Sequence, residues 1–412
     1  MEVQTMLSEK GKRLLVVCGF KFCVGKILKD NTLYWRCVNK KTKCPAKLYT
    51  PTTNFECVLK YNLNHNHEPE ENLERQKLSN CIKRKAASDP YERPSKIIHS
   101  ELRQCGASVE NITTNDLNLI RKNIYECRKS QVSTLPRNQD EVFCSLKNLS
   151  PKTSKDESFL MVNSEEHKIV IFSCRTNLHF LCSVETIFMD GTFNYCAKFF
   201  CQFFTLHGYK NGHYVPLVFC LLPSKKQLLY QNLFNLLTEK CAENHLILSP
   251  KNVVIDFEVA IHNAVTFTWP ESTIVGCRFH LSQAWFRKLQ ALGLSTEYKN
   301  NTEIGKKLKY FFGLQFLEPN EVGDCFTFDL VSDLPEDERL KQFCDYLVDT
   351  YIDECSQFPP NIWANLSSSL YRTTNACESF HSKFNNSFYH SHPSIFKFVD
   401  ILLNFQTETY VY

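Results

Sequence analysis

The chain has 412 residues, 43% of them hydrophobic and 22% charged, with 20 cysteines and a formal net charge of +4. This length predicts two or three domains, and the apolar content excludes an intrinsically disordered chain and a disulfide-stapled miniprotein. The longest apolar stretches, at 199–206 and 214–222, are too short for a membrane-spanning helix of about 20 residues, and the first residues lack a signal-peptide pattern. We therefore expect no membrane partner, and cysteines that are mostly reduced.

The positive charge is concentrated near the N-terminus. Residues 1–67 carry twelve Lys and Arg against four Asp and Glu, whereas residues 131–412 carry 24 against 30. Residues 1–67, called the basic head below, therefore differ in charge from residues 131–412, called the acidic body. This asymmetry predicts that the basic head binds a polyanion through phosphate contacts.

The first 150 residues change from a strand pattern to a helix pattern. Residues 10–67 alternate short β-like runs with turn-rich segments, which predicts a small twisted sheet. Its predicted strands are 14–18, 20–27, 32–38, 46–50 and 56–61. Residues 68–150 contain helix-like stretches near 72–87, 94–105 and 114–130, and we interpret them as a helical connector. Their apolar stripes are typical of packing helices, while their basic faces leave a second DNA-contacting region open.

From residue 159 onward, strands and helices follow in the order β-β-β-α-β-α-β-α. After two short strands at 159–162 and 169–172, the pattern predicts the strands 186–190, 199–207, 213–222, 252–256 and 273–277, with helices at 226–243, 258–267 and 281–292. Three antiparallel strands followed by parallel crossovers predict an α/β fold with a mixed sheet covered by helices on both faces. This order is similar to a ribonuclease-H-like fold. We interpret residues 295–370 as a helical insertion before a final helix at 375–386.

Four residues of the basic head form a candidate metal site. Cys37 and Cys44 are followed about twenty residues later by His65 and His67. Two thiolates and two imidazoles are the ligand set of a closed, tetrahedral zinc site, and a module with so small a core needs such a staple. The alternative is a core cysteine pair with two histidines in a solvated loop.

The surroundings of these ligands resemble the FLYWCH-type zinc finger over residues 10–67. The resemblance is carried by Leu33-Tyr34-Trp35-Arg36-Cys37, Lys43-Cys44-Pro45-Ala46-Lys47-Leu48 and His65-Asn66-His67. It implies a Zn²⁺-stapled β-sheet that binds DNA or, in some members, protein. The basic residues expected to contact DNA are Arg36, Lys40, Lys41, Lys43 and Lys47. We expect Trp35 to pack against the zinc site rather than to touch nucleic acid.

Three carboxylates of the body form a second candidate site. Asp190 and Asp256 end two strands that are neighbours in a ribonuclease-H-like sheet, and Glu378 begins the last predicted helix. Carboxylates that converge repel one another unless a cation neutralises them, and Mg²⁺ or Mn²⁺ prefers oxygen ligands. Each carboxylate also has a structural interpretation: Asp190 and Gly191 suit a turn, Asp256 suits a helix cap, and Glu378 suits a capping box with Asn375.

Residues 159–410 are similar to the MULE (Mutator-like element) transposase domain. The similarity is carried by Met189-Asp-Gly-Thr-Phe193, Val254-Ile-Asp-Phe-Glu258, Cys277-Arg-Phe-His280 and Asn375-Ala-Cys-Glu-Ser-Phe-His-Ser-Lys-Phe384. It implies that the Asp-Asp-Glu triad of the family falls on Asp190, Asp256 and Glu378, which hold two Mg²⁺ or Mn²⁺ ions. The family's Cys-x2-His signature falls on Cys277 and His280.

The similarity implies a nuclear, cut-and-paste DNA transposase that cleaves terminal inverted repeats and transfers the freed 3′-hydroxyl to target DNA, with a homo-oligomer left open. One alternative is a domesticated, transposase-derived DNA-binding or chromatin regulator without catalytic activity. Another is an interaction protein whose finger binds protein and whose carboxylates only stabilise turns and helix ends. For Cys277 and His280, a role in orienting the insertion or contacting DNA stands beside a buried thiol and a capping imidazole.

Overall fold

A computed structural model describes residues 3–39, 41–70, 72–88, 92–105, 112–129, 135–300, 302–366 and 373–411. The chain divides into two compact units, Met1–Leu135 and Pro136–Tyr412. Within the described ranges, none of the helices combines the length and the apolar character that crossing a bilayer requires.

The first unit contains a six-stranded antiparallel sheet whose strands follow one another in chain order. The strands are β1 (Val3–Leu7), β2 (Arg13–Val17), β3 (Phe20–Ile27), β4 (Thr32–Cys37), β5 (Lys47–Pro51) and β6 (Lys60–Asn62). The twisted sheet predicted for this region is confirmed, but β1 was not predicted and the last strand is shorter than the predicted 56–61. Trp35 is fully buried in the same apolar cluster as Cys37, and its indole N–H donates to Thr50 Oγ1 at 2.9 Å. The expectation that Trp35 packs in the core is therefore confirmed.

Among its described residues, the first unit also contains three helices: α1 (Leu73–Ser88), α2 (Pro94–Cys105) and α3 (Thr114–Lys129). Their apolar stripes are buried against one another, with Ile82 of α1 and Ile124 of α3 fully enclosed. At the sheet, Lys21 pairs with Glu70 at 3.0 Å just before α1 begins. The packing interpretation of these stripes is confirmed, whereas DNA contact by their basic faces stays a prediction.

A seven-stranded mixed sheet forms the centre of the second unit, in the order β13-β12-β9-β10-β11-β8-β7. Its strands are β7 (Leu160–Ser164), β8 (Ile169–Phe172), β9 (Thr186–Thr192), β10 (Gln202–Lys210), β11 (His213–Leu222), β12 (Asn252–Ile255) and β13 (Thr273–Gly276). β9, β10 and β11 form an antiparallel meander, and β12 pairs in parallel with both β9 and β13. The expected adjacency of the strand that contains Asp190 and the strand that precedes Asp256 is thus confirmed.

Helices pack against both faces of this sheet. They are α4 (Gln139–Leu149), α5 (Arg175–Ser183), α6 (Gln227–Glu243), α7 (Val259–Thr268), α14 (Asn375–Asn385) and α15 (Ile395–Thr409), whereas α8 (Arg278–Ala291) buries its apolar side chains in the core of the segment that follows it. Because side chains alternate along a strand, Met189 and Leu206 enter the core shared with α5, α6 and α7, while Phe188 and Phe203 face α14. α14 therefore lies on the sheet face that also receives Asp190.

The segment predicted as an insertion, 295–370, is helical where it is described and has a core of its own. Its helices are α9 (Ser295–Lys299), α10 (Glu303–Phe311), α11 (Val322–Asp324), α12 (Glu338–Leu347) and α13 (Pro360–Trp363), with π-helical turns at Cys325–Val331 and Val348–Ile352. Trp285 of α8 packs edge-on against Trp363, which joins this core to the helix that carries His280. Residue 301 and residues 367–370 lie outside the described part.

Candidate functional sites

The four metal-ligand candidates of the first unit converge on one point. Cys37 ends β4, Cys44 lies in the following loop, and His65 and His67 follow β6. The Sγ atom of Cys37 lies 3.2 Å from Nε2 of His67, Sγ of Cys44 lies 3.3 Å from Nδ1 of His65, and the two ring nitrogens are 3.4 Å apart. A tetrahedral zinc ion with bonds of about 2.3 Å to sulfur and 2.05 Å to nitrogen separates its ligands by roughly 3.5 Å (S to N) and 3.3 Å (N to N). The donor set and its spacing fit Zn²⁺.

The residues around the two imidazoles orient the rings and favour the protonation state that binds a metal. His67 Nδ1 lies 2.9 Å from the carbonyl oxygen of Glu68, so its N–H donates there and Nε2 is left as the ligand. The ring of Phe20 stacks on His65 at 3.5 Å. Burial and the neighbouring His67 lower the pKa of His65, which favours the neutral form that binds zinc. The alternative of two histidines in a solvated loop is wrong.

The basic residues chosen as DNA contacts lie around this cluster. Arg36 and Lys47 are cross-strand neighbours on β4 and β5, and therefore share one face of the sheet. Lys41 and Lys43 are exposed in the loop between the two cysteines, and Lys40 lies outside the described residues. Their contact with DNA stays a prediction.

The three carboxylates of the second unit lie around the ring of His280. Asp190 belongs to β9, Asp256 directly follows β12, and Glu378 lies in the first turn of α14. The parallel register of β9 and β12 sets Val254 opposite Phe188, so the two aspartates two residues later fall on the same face. His280 Nε2 lies 2.9 Å from Glu378 Oε1, and its Nδ1 lies 3.7 Å from Asp256 Oδ1.

None of the three carboxylates has the structural role that was considered as the alternative, namely a turn at Asp190, a helix cap at Asp256 or a capping box at Glu378. Asp190 lies inside β9 rather than in a turn. The N-cap position of α7 is Glu258, not Asp256, and the N-cap of α14 is Thr374, without a side-chain cap. The carboxylate of Glu378 contacts His280 instead of the helix start.

Burial and neighbouring charges shift the pKa values at this site in different directions. Burial opposes the ionised form of Asp190, but the hydrogen bond from His381, 3.1 Å from its Oδ2, and the nearby charges lower its pKa overall. Burial raises the pKa of Glu378, and Asp190 raises it further although His280 acts against this. Burial lowers the pKa of His280, but its hydrogen bond with Cys277 and the charges of Asp256 and Asp190 raise it to about 9. A protonated His280 therefore neutralises part of the acidic charge.

A cleft of about 250 Å³ opens beside Asp190 and Asp256, and Glu378 lines an adjoining cavity of about 420 Å³ that shares Asp190 and His280 with the cleft. The lining of the cleft includes Asp190, Asp256, Glu258, His280, Lys225 and Arg287. Lys225 pairs with Glu258 at 3.3 Å, so the far wall of the cleft carries mixed charge. A Cβ atom at Gly191, beside Asp190, would overlap the side-chain amide of Gln202, which is buried and hydrogen-bonded to Tyr230 and would have to move.

The donor chemistry of this cleft fits a hard divalent cation. Mg²⁺ and Mn²⁺ take carboxylate oxygens, and a cation is what three converging carboxylates need. In the described ranges, the zinc cluster is the one group of three or more ligand residues whose atoms all lie within 4.8 Å of one another. The carboxylates are thus spaced more widely, and the imidazole of His280 lies between two of them.

Comparison with known protein families finds two matches in the chain. Residues 5–67 match the FLYWCH zinc finger domain. Residues 186–284 match the MULE transposase domain, which includes Asp190, Asp256, Cys277 and His280 but ends before Glu378. No curated protein matches the chain. Both predicted resemblances are confirmed, and together they indicate a transposase-like DNA-binding protein with a Zn²⁺ finger.

Cys277 and His280 connect the starts of α8 and α14 to the acidic cleft. Cys277 is fully buried at the N-cap of α8, and its sulfur contacts the backbone nitrogen and the hydroxyl of Thr374 at 3.2 and 3.1 Å. Thr374 immediately precedes α14, which carries Glu378. Of the alternative left open for these two residues, the buried thiol is observed, whereas His280 lies inside α8, which begins at residue 278 rather than 281, and its ring contacts Glu378.

Sequence reasoning missed the second histidine of the site. His381 follows Glu378 by three residues, and residues at this spacing lie on the same face of a helix. It also missed Thr205 and His207, two buried polar side chains of β10, a strand that is buried from residue 202 to residue 208. Polar residues at alternate positions of a buried run were the available signal.

Proposed function

We propose that this protein is a nuclear, Mutator-like DNA transposase. The zinc finger binds the ends of the element, and the second unit cleaves phosphodiesters there and transfers the 3′-hydroxyl to target DNA. The proposal includes a ribonuclease-H-like fold for the second unit. Its support is the meander β9-β10-β11 followed by the parallel strands β12 and β13, which gives the order of strands that such a fold requires.

The observation that carries the proposal is the convergence of three carboxylates from distant parts of the chain. Asp190, Asp256 and Glu378 come from two neighbouring strands and from the helix that covers them, and all three act electrostatically on His280 or contact it. Residues that served only local turns or helix caps would not be expected to lie together at one edge of the sheet.

Asp190, Asp256 and Glu378 would hold Mg²⁺ or Mn²⁺. When bound, such ions activate a water or a 3′-hydroxyl for in-line attack and stabilise the leaving oxygen. The chain itself supplies the positive groups that receive DNA: Lys225 and Arg287 on the wall of the cleft bind backbone phosphates, and this binding weakens with added salt. His280 keeps Glu378 and Asp256 apart and compensates their charge before metal and DNA enter.

The experiment uses full-length protein and a supercoiled plasmid that carries the genomic sequences flanking the gene. With Mg²⁺ or Mn²⁺ we expect nicks at the boundaries of those sequences. Asp190→Asn, Asp256→Asn and Glu378→Gln should each lower the nicking rate by at least about 10²- to 10³-fold, the range for loss of one preorganised electrostatic group. Glu271→Gln, at an exposed position, is the matched control and should nick like the parent. Nicking that survives in all three variants would refute the catalytic proposal.

One observation favours a second candidate function, a domesticated DNA-binding regulator without catalysis. The imidazole of His280 contacts Glu378 at 2.9 Å, so the acidic edge is partly neutralised by the chain itself. Sequence-specific DNA binding through the finger, without metal-dependent nicking under any of these conditions, would support this candidate.

A further inference from the structure

A chain of buried polar side chains leads away from Asp190 into the protein. His381 Nδ1 lies 3.1 Å from Asp190 Oδ2, and its Nε2 lies 2.9 Å from Thr205 Oγ1. The same hydroxyl lies 3.0 Å from His207 Nε2. The four side chains are between 0% and 9% exposed. Buried polar groups of this kind are costly unless each is paired, so their presence in an apolar sheet face calls for a reason.

The strand register brings these groups together. Thr205 on β10 pairs directly with Asp190 on β9, so both side chains emerge on the same face. His207 lies two residues further along β10 and shares that face. α14 packs across it and carries His381 together with Glu378. Three secondary structure elements, β9, β10 and α14, therefore contribute to the hydrogen-bonded chain.

The donor of the hydrogen bond between His381 and Asp190 follows from the chemistry of the two groups. An ionised carboxylate only accepts, so His381 donates from Nδ1 to Asp190. The hydroxyl of Thr205 has one proton, and it lies nearer to His381 Nε2, at 2.9 Å, than to the backbone oxygen of Asp190, at 3.4 Å. Burial lowers the pKa of His207 to about 3, so this ring is neutral. The four side chains thus form one continuous hydrogen-bonded chain that ends at Asp190.

We infer that His381, Thr205 and His207 are positioning residues that fix the orientation of the Asp190 carboxylate for metal binding. This inference rests on the proposed function, because it assigns Asp190 a metal ligand's role. A carboxylate that accepts a hydrogen bond on Oδ2 has one rotamer selected and one oxygen occupied before any ion arrives. Outer partners of this kind commonly change metal affinity by about 10- to 100-fold.

The first test compares two substitutions of Thr205 in full-length, zinc-loaded protein. Thr205→Val keeps the shape of the side chain and removes the hydroxyl, whereas Thr205→Ser keeps the hydroxyl in a residue that favours strands less. We expect the affinity for Mn²⁺, measured by calorimetry, to fall about 10- to 100-fold in Thr205→Val and to stay near the parent value in Thr205→Ser. A purely structural role for Thr205 gives the opposite order.

Substitutions of His381 give an independent comparison. His381→Asn retains an N–H group near the position of Nδ1 and should keep most of the Mn²⁺ affinity, while His381→Ala should lose it to the same extent as Thr205→Val. His245→Ala, at an exposed position, is the control and should bind Mn²⁺ like the parent. In ¹⁵N-histidine-labelled parent protein without Mn²⁺, NMR should show His381 protonated at Nδ1.

Asp190→Asn, measured beside these variants, separates two kinds of failure. If Asp190→Asn alone loses Mn²⁺ affinity while Thr205→Val and His381→Ala bind like the parent, the positioning role is wrong and the metal site stands. If Asp190→Asn also binds like the parent, the proposed metal site is wrong and the inference fails with it. A His381 ring protonated only at Nε2 overturns the inference whatever the affinities are.

Discussion

Loss of one zinc ligand should unfold the sheet of the first unit and leave the second unit intact. The perturbation is Cys44→Ser, which removes a thiolate from the cluster of two cysteines and two histidines. The apolar cluster of this sheet has only eight buried side chains. A core of this size contributes about 3–5 kcal/mol, whereas structural zinc binding in small fingers contributes about 10–16 kcal/mol at neutral pH. The metal therefore outweighs the core, and the sheet cannot remain folded without it.

Hydrogen exchange measured by mass spectrometry reports each strand separately. We expect the amides of β2 to β5 to lose protection in Cys44→Ser, together with the zinc content and DNA binding, while those of β9 to β12 keep it. Cys57→Ser, at an exposed cysteine of the same unit, is the control and should retain both zinc and protection. Unchanged protection in β2 to β5 of Cys44→Ser after zinc is lost would refute the reasoning.

Two further predictions concern the acidic cleft. His280→Ala removes the positive charge between Glu378 and Asp256, so without divalent metal the midpoint of thermal unfolding should fall by several degrees. Added Mn²⁺ should restore much of this loss, because it binds the folded state. An unchanged midpoint, or no recovery with Mn²⁺, would contradict the role given to His280. Gly191→Ala forces Gln202 away from the backbone and from Tyr230, so urea unfolding should show a destabilisation of about 1–3 kcal/mol. Gly323→Ala, where a Cβ atom meets nothing within 4 Å, should cost almost nothing, and equal effects of the two glycine substitutions would contradict this account of Gly191.

Local sequence patterns were sufficient where the chemistry or the hydrophobicity is local. The zinc ligands could be predicted because thiolates and imidazoles at close spacing have few other uses, and β12 could be predicted because an apolar run ends at Asp256. The adjacency of β9 and β12 was predicted because the order of strands and helices is similar to that of a ribonuclease-H-like fold, in which these two strands are neighbours.

Elements whose pattern depends on tertiary packing were missed. α15 is buried on several sides, including Phe398, Val399 and Leu402, so it has no single apolar stripe that would identify it as an amphipathic helix. The role of His280 depends on three elements distant in sequence, and its ring contacts Glu378, 98 positions further along the chain. β1 has only one fully buried side chain, Met6, and is formed by pairing with β2.

The most direct test of the central claim is a crystal structure of the full-length protein with Mn²⁺, with the metal located by anomalous scattering. The account predicts manganese bonded to carboxylate oxygens of Asp190 and Asp256, with Glu378 released from His280 to join the site. A structure in which saturating Mn²⁺ leaves no peak at Asp190 or Asp256, and Glu378 still contacts His280, would contradict it.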